Sequence, residues 1–403
     1  MRDANLTNRK SHENREIKAL YEEFYKEPLS ELAEKMLHTS YVDRRSDLGS
    51  AIYMEKGYIL IDRLEQTRRL TFEEYLQLIN GFTPQLAEYA AKKALWVRKS
   101  IYGKDVYVRG LIEISNYCKN DCLYCGIRRS NVNADRYRLN KEDILLCCKE
   151  GYALGMRTFV LQGGEDGYFT DEILTDIVSS IRREYPYCAI TLSMGERSKE
   201  SYEALFAAGA NRYLLRHETA DEEHYAKLHP KDMSFANRMR CLSQLKEIGY
   251  QTGCGLMVGS PGQTAETLAK DLVFIQEFQP QMCGIGPFLP HRDTPFREEQ
   301  AGSGELTCYL LSLVRLMHPR ILLPATTALG TLDKERGREK GLRAGANVVM
   351  PNLSPVAVRK KYELYNDKIS TGEESAQSVR AIQKRIHDCG FEMVVARGDI
   401  RNS

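Results

Sequence analysis

Val106-Tyr107-Val108-Arg109-Gly110-Leu111-Ile112-Glu113-Ile114-Ser115 is the stretch on which the fold turns. Its β-branched and apolar residues read as a buried strand. After it, short β-rich runs alternate with helical ones. Lys141–Leu154 reads as a helix, then Thr158–Leu161 and Asp171–Arg183 as strand and helix. The pairs Ala189–Ser193 and Lys199–Ala207, Arg212–Leu215 and Phe235–Ile248, Gly253–Val258 and Ala265–Gln276 continue the pattern. Cys283–Phe288 and Leu306–His318, then Ile321–Pro324 and Lys334–Arg343, extend it to a last strand at Asn347–Met350 and a helix near Ser375–His387. Roughly eight strand–helix units in series predict an α/β fold, a (βα)8 TIM-type barrel of parallel strands. An open doubly wound sheet is the alternative, but no glycine-rich dinucleotide fingerprint follows the first strand. In a barrel the chemistry belongs at the C-terminal ends of the strands.

Upstream the texture is different. Residues 1–55 are polar and charged and read as an N-terminal extension, helical or partly disordered, ahead of a barrel domain over 56–403. Within the extension, Ile17, Leu20, Tyr21, Phe24, Leu29, Leu32 and Met36 recur at helical spacing over Glu16–Met36, and Pro28 divides that helix. Ile59–Arg98 reads as further helix, with Thr71 before Phe72-Glu73-Glu74 as a capping start.

The 403 residues carry a formal net charge of +2 with both signs interleaved, so no basic stripe announces nucleic acid. The longest apolar runs, such as Leu310–Val314, are far too short to cross a bilayer, and no apolar segment follows the N-terminus as in a secretory signal. The expectation is a cytoplasmic protein. Eleven cysteines, an odd number, argue against a disulfide framework in that setting. Eight are scattered and suit small buried positions.

The other three are packed together in Asn116-Tyr117-Cys118-Lys119-Asn120-Asp121-Cys122-Leu123-Tyr124-Cys125-Gly126, directly after the first strand. Three thiolates on one loop hold three irons of a cubane and leave the fourth iron open, whereas ferredoxin-like sites close the cluster with a fourth Cys. A zinc knot would need a fourth Cys or His at knuckle spacing. The next cysteine is Cys147, inside a predicted helix, and no histidine lies between His38 and His217.

This loop resembles that of the radical S-adenosylmethionine (SAM) superfamily. Gln162-Gly163-Gly164-Glu165-Asp166, after the second strand, resembles the glycine-and-glutamate motif of the same superfamily. Further segments resemble the FeFe-hydrogenase maturase family within it: Ala208–Thr219 with Arg216-His217-Glu218-Thr219, Met257–Thr264, Gly284–Phe288, Pro324-Ala325-Thr326-Thr327-Ala328, and Gly345–Asn352. The resemblance runs from about Ile59 to about Phe391; methylornithine synthase and biotin synthase are the nearest alternatives by pattern.

The resemblance implies a 4Fe–4S cluster on Cys118, Cys122 and Cys125, with SAM on the open iron. It implies that Tyr124 packs on the adenine and that Gln162, Gly163, Gly164 and Glu165 meet the SAM amino group. Glu218 would accept from the ribose hydroxyls, and Arg216 or Arg238 would pair with the SAM carboxylate. It further implies a closed interior cavity for a small anionic iron complex, lined by Arg109, Arg212, Met282, Thr326, Thr327, Met350, Tyr362 and Tyr365. Positions where some maturases of this type carry an accessory cluster are Ser370, Ser378 and Ala381 here, so one cluster is expected. The implied activity is reductive SAM cleavage in making the bridging dithiolate ligand of the hydrogenase from a cysteine-bound iron carbonyl–cyanide precursor. Implied partners are a sister radical SAM maturase, a GTPase scaffold, and a reductase or ferredoxin as electron donor. A carbon-skeleton mutase, a biotin synthase-like enzyme and a cluster-carrying scaffold are the rival readings.

Overall fold

Alternating strand and helix is what the chain builds. The computed structural model describes residues 44–369 and 378–401, with side chains from residue 56 onward. The helix expected over Glu16–Met36 and the position Ser370 lie outside the described residues. The chain divides into two compact units, Met1–Lys56 and Gly57–Ser403, and the barrel belongs to the second.

Three helices come before the barrel, α1 (Arg44–Thr67), α2 (Phe72–Asn80) and α3 (Pro84–Tyr102). Thr71 caps α2 as its sequence promised: its hydroxyl accepts from Glu74 N at 3.3 Å, and the Glu74 carboxylate accepts from Thr71 N at 2.9 Å. Pro84 opens α3, where its missing N–H is no loss.

The first predicted strand is divided at Arg109 into β1 (Asp105–Val108) and β2 (Gly110–Ser115). Then follow α4 (Lys141–Ala153), β3 (Thr158–Gly163), α5 (Asp171–Glu184), β4 (Ala189–Ser193), α6 (Lys199–Ala207) and β5 (Arg212–Leu214). The second half runs α7 (Glu222–Leu228), α8 (Phe235–Ile248), β6 (Gln251–Val258), α9 (Ala265–Phe278), β7 (Met282–Pro287) and α10 (Gly304–Met317). It ends with α11 (Thr327–Leu332), α12 (Gly337–Arg343), β8 (Val348–Val349), α13 (Val356–Arg359), α14 (Val379–Asp388) and β9 (Glu392–Val394).

Strands β2 to β7 pair in chain order, all parallel. The seventh predicted strand, Ile321–Pro324, contributes only single bridges, Met282 to Leu322 and Pro324 to Val348. Strand β8 then pairs with β1, and Asn352 with Leu111, so the ring of eight closes. Closure removes the sheet edges and leaves one enclosed interior. Strand β9, unforeseen in the sequence, adds alongside β1.

Which residues face inward follows from one contact. Arg109 reaches across the barrel to Met282 Sδ at 3.2 Å. Side chains alternate along a strand, so Leu111 and Glu113 share that inner face, up to the irregularity between Glu113 and Ser115. Helices cover the outside; Leu174, Ile177, Val178 and Ile181 of α5 are all fully or almost fully buried. After β9 the chain turns at Gly398, whose φ of 60° suits glycine and whose bare Cα lies against the Tyr107 ring. The tail thereby reaches the N-terminal ends of the strands.

Candidate active site

The loop carrying Cys118, Cys122 and Cys125 leaves the C-terminal end of β2, and all three thiols are free and partly exposed. Bonds to many neighbours hold it. Lys119 N donates to Glu165 O at 2.9 Å, Leu123 N to Leu228 O at 3.0 Å, and Gly126 N to Leu364 O at 2.8 Å. Arg128 makes a two-pronged bond to Asp121, at 2.8 and 2.7 Å, which holds that carboxyl far below its usual range. Arg136 gathers the carbonyls of Ile127, Arg128 and Asn131. A loop held this firmly is preorganised.

Burial, and for Cys122 and Cys125 the neighbouring thiols as well, push these groups up, Cys125 to about 12. Deprotonating all three thiols of this loop therefore calls for a cation. Among the described residues no three Cys, His, Asp or Glu side chains converge to hold a single metal ion. A cubane takes each thiolate on a different iron, so a spread donor set of three thiols fits a cluster.

The glycine motif sits against this loop. A Cβ on Gly164 would overlap Tyr117 O and come within 2.8 Å of Cys118 Cβ, so glycine is needed for strand and loop to meet. Gly163 pairs in register with Ser115 at the end of β3. The Glu165 carboxylate accepts from Glu196 N at 2.9 Å and pairs with Lys119 at 3.1 Å. Gln162 donates toward the Tyr362 hydroxyl at 3.4 Å.

Across the rim stands Glu218. Its backbone is left-handed at φ 66°, an uncommon state for a non-glycine residue. It is almost fully buried, and its Oε2 has no hydrogen-bond partner. Arg216 lies beside it, 3.1 Å from Oε2, yet Nε and Nη2 of Arg216 lack hydrogen-bond partners too, because the geometry gives proximity without alignment. Glu218 is close enough to Cys122, Tyr124 and Cys125 to raise all three groups. Buried polar atoms are normally paired, so these orphans mark where a polar ligand belongs. They fit the ribose and carboxylate of SAM.

Arg238 differs. Its Nε donates to Glu196 at 2.5 Å and its Nη1 to the Arg216 carbonyl at 2.6 Å, so of the two candidate arginines it is the one already engaged. Tyr124 packs in an apolar group with Leu228, Met257, Phe288 and Phe296, its hydroxyl 3.3 Å from His229 Nε2. His217 is buried, and Asp271 lies 3.3 Å from its Nε2.

The interior residues divide into two groups. Arg212, a candidate for holding an anionic substrate, already has a counter-charge within the chain. Asp399 Oδ1 lies 2.5 Å away, the carbonyls of Arg397 and Gly398 at 3.0 and 3.1 Å, Gln251 at 2.9 Å and Thr158 at 3.1 Å. Thr158, Arg212 and Gln251 are the first residues of β3, β5 and β6, so this network closes the barrel end opposite the cysteines. Arg109 donates to Gly398 O at 3.3 Å, and its Nε stays unpaired. Met282 and Met350 sit nearby in an apolar group with Tyr102, Tyr107, Leu322 and Val348. Thr326 caps α11, its Oγ1 3.4 Å from Leu329 N, and Thr327 lies 3.5 Å from Arg338.

Nearer the cysteines lie Tyr362, fully enclosed, and Tyr365; burial raises both phenols. Beside them is a pair the sequence reading passed over, Glu113 and Lys368, in direct contact and deeply buried. A carboxylate inside the apolar run Leu111-Ile112-Glu113-Ile114 was the available signal. Lys368 offered none.

Residues 112–275 match the Radical SAM superfamily, and residues 1–44 match the iron hydrogenase small subunit family. The FeFe hydrogenase maturase subunit HydE of Thermotoga maritima is 44% identical over 82% of this chain and 92% of its own length. The 3-methylornithine synthase of Methanosarcina acetivorans is 30% identical over 75% of this chain and 84% of its own. A crystal structure of methylornithine synthase superposes with a TM-score of 0.72 at 27% identity, covering 83% of this chain and 97% of that one. Among the described residues no helix is long and apolar enough to cross a membrane. The cysteine loop, the barrel and this level of identity agree: the chain belongs to the HydE family of FeFe hydrogenase maturases, radical SAM enzymes whose family implies a 4Fe–4S cluster and SAM.

Proposed function

We propose that the protein acts in making the bridging dithiolate ligand of the hydrogenase, on a cysteine-bound iron carbonyl–cyanide precursor. The observation that carries this reading is the rim, where three free thiols face a buried Glu218 oxygen and two Arg216 nitrogens that lack hydrogen-bond partners. Cys118, Cys122 and Cys125 would hold three irons of one cluster. No cysteine stands at Ser378 or Ala381 to hold a second. Cluster and SAM, when bound, supply an adenosyl radical by one-electron cleavage of SAM.

The chain's own residues do the rest. Glu218 would accept from the ribose and Arg216 would pair with the carboxylate of SAM, while Arg238 braces the Arg216 backbone. Tyr124 would pack on the adenine, and the strand end Gln162–Glu165 would receive the amino group. The closed barrel keeps water and loose side chains away from a species that attacks almost anything. Thr326, Thr327, Tyr362 and Tyr365 bound the substrate space from one side and Arg109 from below. The match of residues 1–44 to the iron hydrogenase small subunit supports a role beside the hydrogenase system, alongside a sister maturase and a GTPase scaffold.

The test uses anaerobically reconstituted protein reduced with dithionite. It should release methionine from SAM and restore maturation to a hydrogenase system lacking this component. Absence of methionine would favour a cluster-carrying scaffold. Methionine release with rearrangement of an amino acid and no maturation would favour the mutase.

A further inference from the structure

Strand β2 turns one carboxylate into the barrel. Glu113 shares the inner face with Arg109 and lies four residues nearer the cysteine loop. It is wholly buried, and so, nearly, is its partner: the side chains of Lys368 and Glu113 are 6% and 0% exposed. Asn352 Nδ2 donates to Glu113 Oε2 at 2.8 Å. Lys368 Nζ donates to Glu113 Oε1 and to the Tyr362 carbonyl, the latter at 2.9 Å. The ammonium also lies 4.7 Å from the centre of the Tyr362 ring. Gln162 of the glycine motif, in register with Glu113, lies 3.4 Å from the Tyr362 hydroxyl, which puts the pair beside the strand end that adjoins the cysteine loop.

The pair is not saturated. A lysine ammonium has three N–H donors and each carboxylate oxygen can accept two bonds. Lys368 uses two of its donors, and each Glu113 oxygen accepts one side-chain bond. Nor does fold stability explain the pair, since apolar residues of similar volume usually hold a buried site as well or better than an ion pair. Its chemistry points to the ligand. A purely anionic group would engage Lys368 but face Glu113, and a cation would meet the reverse. A group with both signs on neighbouring atoms engages both and leaves the net charge of the enclosed space unchanged. An α-amino acid presents ammonium and carboxylate in that way.

We propose that Glu113 and Lys368 together are the receptor for an α-amino acid group of the substrate, Glu113 taking the ammonium and Lys368 the carboxylate. This rests on the cysteine-bound substrate proposed above and identifies the part of it that the protein recognises.

Equilibrium binding to the reconstituted, SAM-loaded protein tests it with three probes. They are L-cysteine, cysteamine, which lacks the carboxylate, and 3-mercaptopropionate, which lacks the ammonium. The wild type should bind L-cysteine about tenfold tighter than either analogue, the worth of one charged hydrogen bond. Glu113→Gln should lose the preference over 3-mercaptopropionate and keep that over cysteamine. Lys368→Met should do the opposite, and Lys368→Arg should restore the lost preference. If Glu113→Gln does not fold, the two Lys368 variants still decide the carboxylate half. Equal weakening of all three probes, an unchanged preference, or no binding of L-cysteine by the wild type would each overturn the proposal. Maturation is scored separately on the same wild-type preparation. Discrimination without maturation sinks the dithiolate reading and leaves the receptor standing; maturation without discrimination does the reverse.

Discussion

Arg212 and Arg216 stand at opposite ends of one strand and meet opposite circumstances. Arg212 begins β5 and is fully buried, yet its guanidinium nitrogens all have acceptors, five of them in total, supplied by β3, β6 and the C-terminal tail. Arg216 follows the strand's other end and is half-buried, with two nitrogens lacking any hydrogen bond, beside a Glu218 oxygen in the same condition. A buried guanidinium is tolerable only when paired. The guanidinium at one end of the barrel is therefore saturated by the fold, while among the described residues the one at the other end has Glu218 at 3.1 Å without an aligned hydrogen bond. Residue type alone, arginine on a barrel strand, makes no such distinction.

The largest effect that could break this contrast concerns the open end. Changing Cys118, Cys122 and Cys125 together to Ala should remove all the reconstituted iron. Changing the buried pair Cys147 and Cys148 to Ala should leave iron content intact. A full cubane retained by the triple variant would show that the ligands lie elsewhere.

Next in size is the closed end. Asp399→Asn leaves Arg212 with neutral partners only. The expected loss is about 2–3 kcal/mol of unfolding free energy, less than for a wholly enclosed pair because Asp399 is partly exposed to water. Arg212→Met should lower stability and iron loading together, while SAM cleavage per bound cluster stays unchanged. Denaturant unfolding and iron analysis on one preparation decide the matter. Full stability in Asp399→Asn, or loss of maturation with stability and iron loading intact in Arg212→Met, would return Arg212 to the substrate site.

A smaller effect is expected at Glu218. Glu218→Gln keeps size and backbone but accepts less strongly, so SAM affinity should fall by about 1–2 kcal/mol with iron content unchanged. A loss of stability with unaltered SAM affinity would move Glu218 into the class of Arg212.

The contrast also marks what sequence could disclose. Eight strand–helix units and the cysteine loop were legible because both are local: periodicity within ten residues, and three thiols within eight. The closed end was not, because Arg212 and Asp399 are 187 residues apart and nothing in either neighbourhood announces the other. Glu113 and Lys368, 255 apart, were hidden for the same reason. The left-handed backbone of Glu218 was equally invisible, since glutamate carries no preference for it. The seventh strand was legible as a β-rich run but pairs only through isolated bridges. Its apolar residues record burial, which sequence shows, and not the hydrogen-bond ladder, which it does not.

The smallest predicted effect lies at the open end, on a residue the fold itself has satisfied. His229 is buried, stacked on Tyr225 at 3.9 Å, with Nδ1 at 3.0 Å from the Tyr225 carbonyl. A carbonyl only accepts, so Nδ1 carries the proton and Nε2 is left to accept from Tyr124. Burial, and then the charge of Arg238, hold its pKa down to about 3, from an ordinary 6.5. The unfolded chain therefore takes up a proton first. The stabilisation from keeping this ring neutral is complete above about pH 6.5 and drains away as pH falls toward 3, with a slope of at most ~1.4 kcal/mol per unit. At pH 6 the loss should still be under about 1 kcal/mol. Thermal unfolding at pH 7.5 and pH 6 should show the wild type losing more than His229→Asn, which keeps a donor for the carbonyl but cannot be protonated. Parallel losses in both proteins would mean that His229 titrates in the folded state much as in the unfolded one. Tyr124 would then rest on a charged neighbour, and the adenine side of the rim would belong with Arg216 and Glu218 among the groups the fold leaves unsettled.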